Sequence, residues 1–144
     1  MVYLICGAPC SGKSHYIKEH MKDGDIVCDV DDIYSAISGN DPHDADLYVH
    51  EVALGMREHL LDIIRDRKGG WNDAYVPTIA NTAEKVQADA DRIKADEIIL
   101  MTTPYEVCME RAIERPYEFR FLIDEWFAMG DEDLERCCDR TEHS

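Results

Sequence analysis

Residues 2–14 read VYLICGAPCSGKS, an apolar run that passes directly into a loop rich in glycine. The run at 2–6 is typical of a strand buried on both faces of a parallel sheet. A segment that can form a helix follows at 13–22, and Gly24 stands where such a helix can end. In this order of strand, loop and helix, backbone N–H groups and a helix N-terminus surround a phosphate. We therefore predict a phosphate-binding loop.

The loop at 7–14 fits the pattern G-x-x-x-x-G-K-S/T. Lys13 can reach the β and γ phosphates of a nucleotide, and the Ser14 hydroxyl can ligate Mg²⁺. The predicted ligand is a nucleoside triphosphate with magnesium, and ATP is assumed by analogy. The predicted nucleotide-binding residues are Gly7, Ala8, Pro9, Cys10, Ser11, Gly12, Lys13, Ser14 and the adjacent His15. For His15, an exposed position on the helix is the alternative.

Three aspartates follow a second predicted strand at 26–28. Because ligands bind at the carboxyl edge of an open α/β sheet, these acids are candidates for a site. A period of two places Asp29 and Asp31 on the same side, where Asp29 is predicted to serve the metal and Asp31 to accept the proton of an acceptor hydroxyl. The alternative is that Asp31 or Asp32 caps a helix beginning at Ile33, and for Asp32 we favour the cap.

Two arginines, Arg111 and Arg115, lie four residues apart in a helix predicted at 104–115. Side chains at this spacing point the same way, so both can clamp the oxygens of a phosphoryl group during its transfer. Glu110 and Glu114 alternate with them. A solvated helix face held by salt bridges is therefore the alternative.

The rest of the chain alternates between apolar runs and helical patterns, which indicates an α/β fold of three layers with a parallel sheet flanked by helices. Residues 1–144 are predicted to form one domain, with an acidic tail of uncertain order at about 130–144. In the last helix, Phe121, Leu122, Trp126 and Met129 follow the helical period. The remaining predictions are strands at 75–80 and 97–102, helices at 33–38, 47–67, 82–94 and 117–129, and a loop at 41–46.

Composition restricts the partners. The chain has 15 Lys and Arg against 31 Asp and Glu, a net charge of -16, so its average surface should repel polyanions.

No apolar run approaches the roughly 18 residues that a membrane span needs, and no basic leader precedes the first strand, so we expect a cytoplasmic protein without membrane contact. The six cysteines form no C-x-x-C pair, which argues against a zinc site. The sequence gives no indication of oligomeric state.

Three stretches resemble the P-loop kinases, and within them the small phage-type proteins similar to the kinase domain of polynucleotide kinase. They are GAPCSGKS at 7–14, DVDD at 29–32 and TTPYEVCMERAIERP at 102–116. The resemblance implies a P-loop NTPase fold like that of nucleoside kinases, with a small helical lid. It also implies Asp31 as general base, Lys13 and Ser14 at the phosphates and metal, and location in the host cytoplasm if a phage encodes the chain.

The same resemblance implies that Arg111 and Arg115 are lid arginines in an ATP-dependent transfer of the γ-phosphoryl group to a hydroxyl. The first choice of acceptor is the 5′-hydroxyl of a polynucleotide. The pair Asp29 and Asp31 is also similar to the acidic pair of shikimate and gluconate kinases, so a nucleoside, nucleotide or other small metabolite stays open as acceptor. A third hypothesis is a protein that binds a nucleotide without catalysis.

Overall fold

The computed structural model describes residues 1–42 and 46–143, and its centre is a parallel β-sheet. The five strands in the described residues are β1 (Val2–Cys6), β2 (Ile26–Val27), β3 (Ala74–Thr78), β4 (Glu97–Met101) and β5 (Arg140–Glu142). Their order across the sheet is β2-β3-β1-β4-β5, and every neighbouring pair is parallel. The strand that precedes the glycine-rich loop therefore lies in the middle of the sheet.

Helices cover both faces of this sheet, as the three-layer prediction requires. The helices are α1 (Lys13–His20), α2 (Val30–Ser38), α3 (Leu47–Arg65), α4 (Ala83–Ile93), α5 (Tyr105–Arg111) and α6 (Glu118–Ala128). Alternate strand residues divide between the two faces. Leu4 and Val76 pack with Ile64 of α3 on one face, whereas Ile5 and Ile99 pack on the other face with residues of α1.

Several predicted boundaries are wrong, because the helices begin and end where the capping groups lie. The helix predicted from 33 begins at Val30, since the side chain of Asp29 caps it. The helix predicted at 104–115 ends at Arg111 and continues only as a 3-10 turn, Ala112–Glu114. The helix predicted to 22 ends at His20, and the next residue is already extended. The predicted loop at 41–46 lies partly outside the described residues.

The apolar face of α6 differs from the predicted one. Ile123 is fully buried, and Phe119 and Trp126 pack beside it in the core under α5 and α6. Phe121 and Met129, which follow the same helical period in the sequence, are 62% and 66% exposed. The helix is apolar on more than one side, so periodicity alone cannot select the side that packs.

The acidic tail contributes the edge strand β5, which the sequence pattern does not predict. It pairs in parallel with β4, with Ile99 opposite Arg140, and the N–H of Thr102 donates to the carbonyl of Glu142 at 2.8 Å. Arg140 forms ion pairs with Glu97 and Glu142. An edge strand has one exposed side and tolerates charge, which explains why this segment lacks the apolar signal of β1 and β4. None of the helices in the described part of the chain is long and apolar enough to cross a membrane.

Candidate functional site

The glycine-rich loop is tightly turned between β1 and α1. Cys10 and Gly12 both have positive φ values, of 63° and 94°. A Cβ atom on Gly7 would lie 2.5 Å from Oγ of Ser11 and 3.0 Å from Cβ of Met101, so only glycine fits there. Gly7 is therefore needed because a side chain would clash with Ser11, whereas Gly12 is needed because its backbone has a positive φ.

Lys13 lies against this loop. Its Nζ donates to the carbonyl oxygens of Gly7 and Ala8 at 2.7 and 2.8 Å. Burial lowers the pKa of Lys13 to about 8, because desolvation disfavours the ammonium form. The loop therefore holds a cation beside backbone N–H groups, at the place where the sequence predicts the phosphates.

Residues beyond the motif fix the loop from the side of β4 and α5. The buried hydroxyl of Thr103 donates to the carbonyl of Ser11 at 2.6 Å. Nη1 of Arg111 donates to the carbonyl of Cys10 at 3.2 Å. Arg111 thus contacts the backbone of the loop. The sequence analysis did not identify Thr103, because a single threonine belongs to no recognisable motif.

The aspartates lie at the start of α2 and not on a strand. Oδ1 of Asp29 accepts a hydrogen bond from the backbone N–H of Asp31 at 2.9 Å, so Asp29 is the cap. The favoured assignment of the cap to Asp32 is therefore wrong, because Asp32 lies inside the first turn of the helix. Burial, and next the charge of Asp29, raise the pKa of Asp32.

One cavity of about 530 Å³ joins the loop to the aspartates. On the nucleotide side it is lined by Pro9, Cys10, Gly12, Lys13, Ser14 and Arg115. The other lining residues are Cys28, Asp29, Val30, Asp31, Leu54, Arg57, Pro77, Thr78, Ile79, Phe119 and Leu122. The structure thus brings together five of the six residues predicted for catalysis or metal binding, namely Lys13, Ser14, Asp29, Asp31 and Arg115.

Three predicted residues are placed differently from the expectation. Arg115 follows the 3-10 turn in an extended conformation, so Arg111 and Arg115 do not share one helical face. Only Arg115 of the two lines the cavity. Nε2 of His15 lies 2.9 Å from Oε1 of Glu19 on the exposed side of α1, which matches the alternative for that histidine.

The cavity lining also contains residues that the sequence prediction missed. They come from α3, from the end of β3 and from α6, which are separate segments of the chain. Arg57 is the cation among them, and Leu54, Ile79, Phe119 and Leu122 supply apolar surface. Arg57 lies four residues from each of the buried residues Ala53 and Leu61 of α3, and this helical spacing could have identified it.

Hard oxygen donors are available for a magnesium ion. Ser14 and Asp29 line the same cavity, and hydroxyl and carboxylate oxygens are the ligands that Mg²⁺ prefers. The residues of 1–42 and 46–143 contain no group of three or more His, Cys, Asp or Glu that could hold a metal. This set therefore fits an ion that keeps several waters and is bound together with substrate phosphates.

Comparison with known proteins gives a family and a fold. A family model named AAA_33 and described as an AAA domain matches residues 2–126. No curated protein gives a significant match. A chain of the Pnkp1/Rnl/Hen1 RNA repair complex superposes with a TM-score of 0.63 at 16% identity, over 88% of this chain and 42% of that one.

Two shikimate kinases have similar structures over nearly the whole chain. The enzyme of Acinetobacter baumannii in complex with shikimate gives a TM-score of 0.60 at 13% identity, covering 99% of this chain and 83% of that one. The enzyme of Aquifex aeolicus gives 0.58 at 16% identity, covering 99% and 86%. These superpositions confirm the predicted P-loop kinase fold, and together with the family match they support the resemblance to polynucleotide kinase. The chain spans less than half of the matched chain of the RNA repair complex.

Proposed function

Because the chain belongs to the AAA_33 family of AAA domains, we propose that it is an ATP- and Mg²⁺-dependent phosphotransferase that moves the γ-phosphoryl group to an acceptor hydroxyl. The kinase-like P-loop fold supports a phosphotransferase in general. The observation that carries the proposal is the shared cavity, which is lined by Lys13 and Ser14 of the loop and also by Asp31. A nucleotide and an acceptor can meet there.

The roles follow from the geometry and the chemistry. Asp31 accepts the proton of the acceptor hydroxyl while that oxygen bonds to the γ phosphorus and the bond to the bridging oxygen of ADP breaks. Lys13 and Arg115 face the charge on the transferred oxygens. Arg111 acts through the loop carbonyl that it holds. Ser14 and Asp29 would hold Mg²⁺, which neutralises phosphate charge when bound.

For the acceptor we propose the 5′-hydroxyl end of a polynucleotide. The resemblance to the kinase domain of polynucleotide kinase supports it, and so does the fold shared with a chain of an RNA repair complex. A small hydroxyl compound is the second candidate. The net charge of -16 and the apolar residues in the acceptor wall favour that candidate, since a small acceptor needs only a local pocket.

Transfer of label from γ-labelled ATP with Mg²⁺ tests the proposal. The acceptors are 5′-hydroxyl DNA and RNA oligonucleotides, nucleosides, nucleoside monophosphates and small polyols. Label on oligonucleotide ends supports the polynucleotide acceptor, and label only on a small compound supports the second candidate. Binding of ATP without label on any acceptor favours a nucleotide-binding protein without catalysis, or an acceptor outside this panel.

The role of Asp31 is tested with a neighbouring acid as control. Asp31→Asn should lower kcat by about 100- to 10,000-fold, the usual contribution of a general base. The Kd for ATP should change less than about twofold, because Asp31 lies in α2 and not in the loop. Asp32→Asn, which alters an acid that does not line the cavity, should leave kcat nearly unchanged. Equal effects of the two substitutions would contradict the assignment of the base.

A further inference from the structure

Three cysteine side chains meet on one face of the sheet, although two of them are distant from the third in the sequence. Cys6 is the last residue of β1 and is fully buried in the core that also contains Leu4. Cys137 and Cys138, near the other end of the chain, are half-buried and pack against that same core. Positions 6 and 138 form no motif, so only the folded chain brings these thiols together.

The short turn before β5 directs both thiols of the acidic tail inward. The carbonyl of the buried Leu134 accepts from Sγ of Cys137 at 3.0 Å and from Sγ of Cys138 at 3.2 Å. The next residue, Asp139, is fixed to β4, because its N–H donates to the carbonyl of Ile98 at 2.8 Å. Cys138 is therefore held in place by the chain on both of its sides.

The thiols of Cys6 and Cys138 interact directly. Their hydrogen bond raises the pKa of Cys6, with burial adding to the rise, and it lowers the pKa of Cys138. Cys138 is thus the sulfur of this pair that loses its proton first, and of the two it is also the one that solvent reaches. A partly exposed thiolate beside a second thiol is the arrangement in which oxidation leads to a disulfide.

The neighbours Cys137 and Cys138 are less suited to bond to each other. Their Sγ atoms lie 4.0 Å apart, whereas a disulfide bond is about 2.05 Å long. Adjacent Cα atoms are about 3.8 Å apart, below the usual range of about 4.4 to 6.8 Å for bonded cysteines. Burial also raises the pKa of Cys137 to about 11, which keeps it a thiol. The pairing that fits is therefore between the tail and β1.

We propose that Cys6 and Cys138 are a site of reversible oxidation, where a hydroperoxide converts the two thiols into a disulfide that ties the acidic tail to β1. The Cys138 thiolate attacks one oxygen of hydrogen peroxide, the O–O bond breaks, and a sulfenic acid and hydroxide form. The Cys6 sulfur then bonds to the Cys138 sulfur while the S–O bond breaks, and the Cys6 proton leaves with that oxygen as water. Two thiols and one peroxide thus give one disulfide and two waters, and a dithiol reductant reverses the change.

The bond joins the strand that carries the phosphate-binding loop to the segment at the edge of the sheet. Gly7, whose carbonyl accepts from Lys13, directly follows Cys6. The link from position 6 to position 138 closes a loop of about 130 residues, which restricts the unfolded chain and so stabilises the fold. Oxidation therefore protects the protein against unfolding, and this effect does not depend on phosphotransfer.

Peptide mapping of the full chain tests the site. The reduced protein is treated with a slight molar excess of hydrogen peroxide, free thiols are alkylated in denaturant, and tryptic peptides are weighed with and without dithiothreitol. Residues 1–13 and 137–140 should appear as one linked peptide, lighter than the two peptides together by two hydrogen atoms. A bond within 137–140, a dimer of two chains, or Cys6 alkylated after the treatment would overturn the proposal.

Each of the two peptides contains two cysteines, so variants assign the bond. Cys10→Ser and Cys137→Ser are the matched controls, and both should keep the link. Cys138→Ser should abolish it. A link that survives in Cys138→Ser, or one that is lost in Cys137→Ser, contradicts the pairing.

Thermal unfolding measures the effect of the link. The oxidised wild type should unfold about 5 to 15 °C above the reduced protein, and dithiothreitol should remove the difference. Cys138→Ser should show no such shift after the same treatment with peroxide. A linked protein that unfolds at or below the temperature of its reduced form would refute the stabilising role of the bond.

Discussion

The lowered pKa of Lys13 predicts that nucleotide binding takes up a proton at alkaline pH. Burial beside the loop carbonyls lowers this pKa from an ordinary value of 10.5 to about 8. A bound triphosphate places negative charge next to the ammonium group and raises its pKa again. The bound state therefore contains charged Lys13 throughout the working range, whereas the free protein loses the charge as the pH rises through about 8.

The magnitude follows from the fraction of protonated lysine. At pH 7, one unit below the pKa of about 8, roughly nine tenths of Lys13 is charged and binding takes up about 0.1 proton. At pH 9 roughly one tenth is charged, and binding takes up about 0.9 proton. The affinity for ATP should fall about tenfold between these two pH values, which corresponds to about 1.4 kcal/mol. The affinity falls as the pH rises, because binding then requires neutral Lys13 to take up a proton.

Calorimetry measures this uptake directly. A non-hydrolysable ATP analogue is titrated with Mg²⁺ at pH 7 and pH 9, each in two buffers of different ionisation enthalpy, and the difference in heat gives the number of protons. Lys13→Arg is the control, because a guanidinium group stays charged at both pH values. An uptake near zero at pH 9 in the wild type, or the same uptake in Lys13→Arg, would refute the role of Lys13.

Substitutions at three further positions test how the loop and the first turn of α2 are built. Gly7→Ala should cost about 1 to 3 kcal/mol in urea unfolding, because the added Cβ meets Oγ of Ser11 at 2.5 Å; an unchanged midpoint would contradict this. Thr103→Val leaves the carbonyl of Ser11 without that donor and should cost about 1 to 3 kcal/mol and raise the Kd for ATP, whereas Thr103→Ser should restore both. Asp29→Ala should cost about 1 kcal/mol through loss of the cap, whereas Asp29→Asn should keep the stability and weaken Mg²⁺-dependent binding. Equal stability of the two Asp29 variants would contradict the capping role.

The site itself was only partly predictable. The loop at 7–14 is one continuous segment whose backbone requirements are visible as glycines, so its place and chemistry could be inferred from neighbours in the chain. The acids at 29–32 were identified, but the capping residue was not, because several aspartates in a row offer the same side chain to the same N–H groups. The two arginines were assigned to one helix, although the helix ends at Arg111.

Local pattern by itself was enough to predict the parallel α/β class, a phosphate-binding loop and a candidate base, because each prediction depends on residues within a few positions of one another. The tertiary structure alone decided which residues share the cavity with Asp31, since they come from separate elements, α3, β3 and α6, that meet only in the folded chain. It also decided the place of β5, whose charged residues are acceptable only at a sheet edge. Arg57 belongs to what the tertiary structure decided, because only the packing of α3 shows that this arginine lines the same cavity as Asp31.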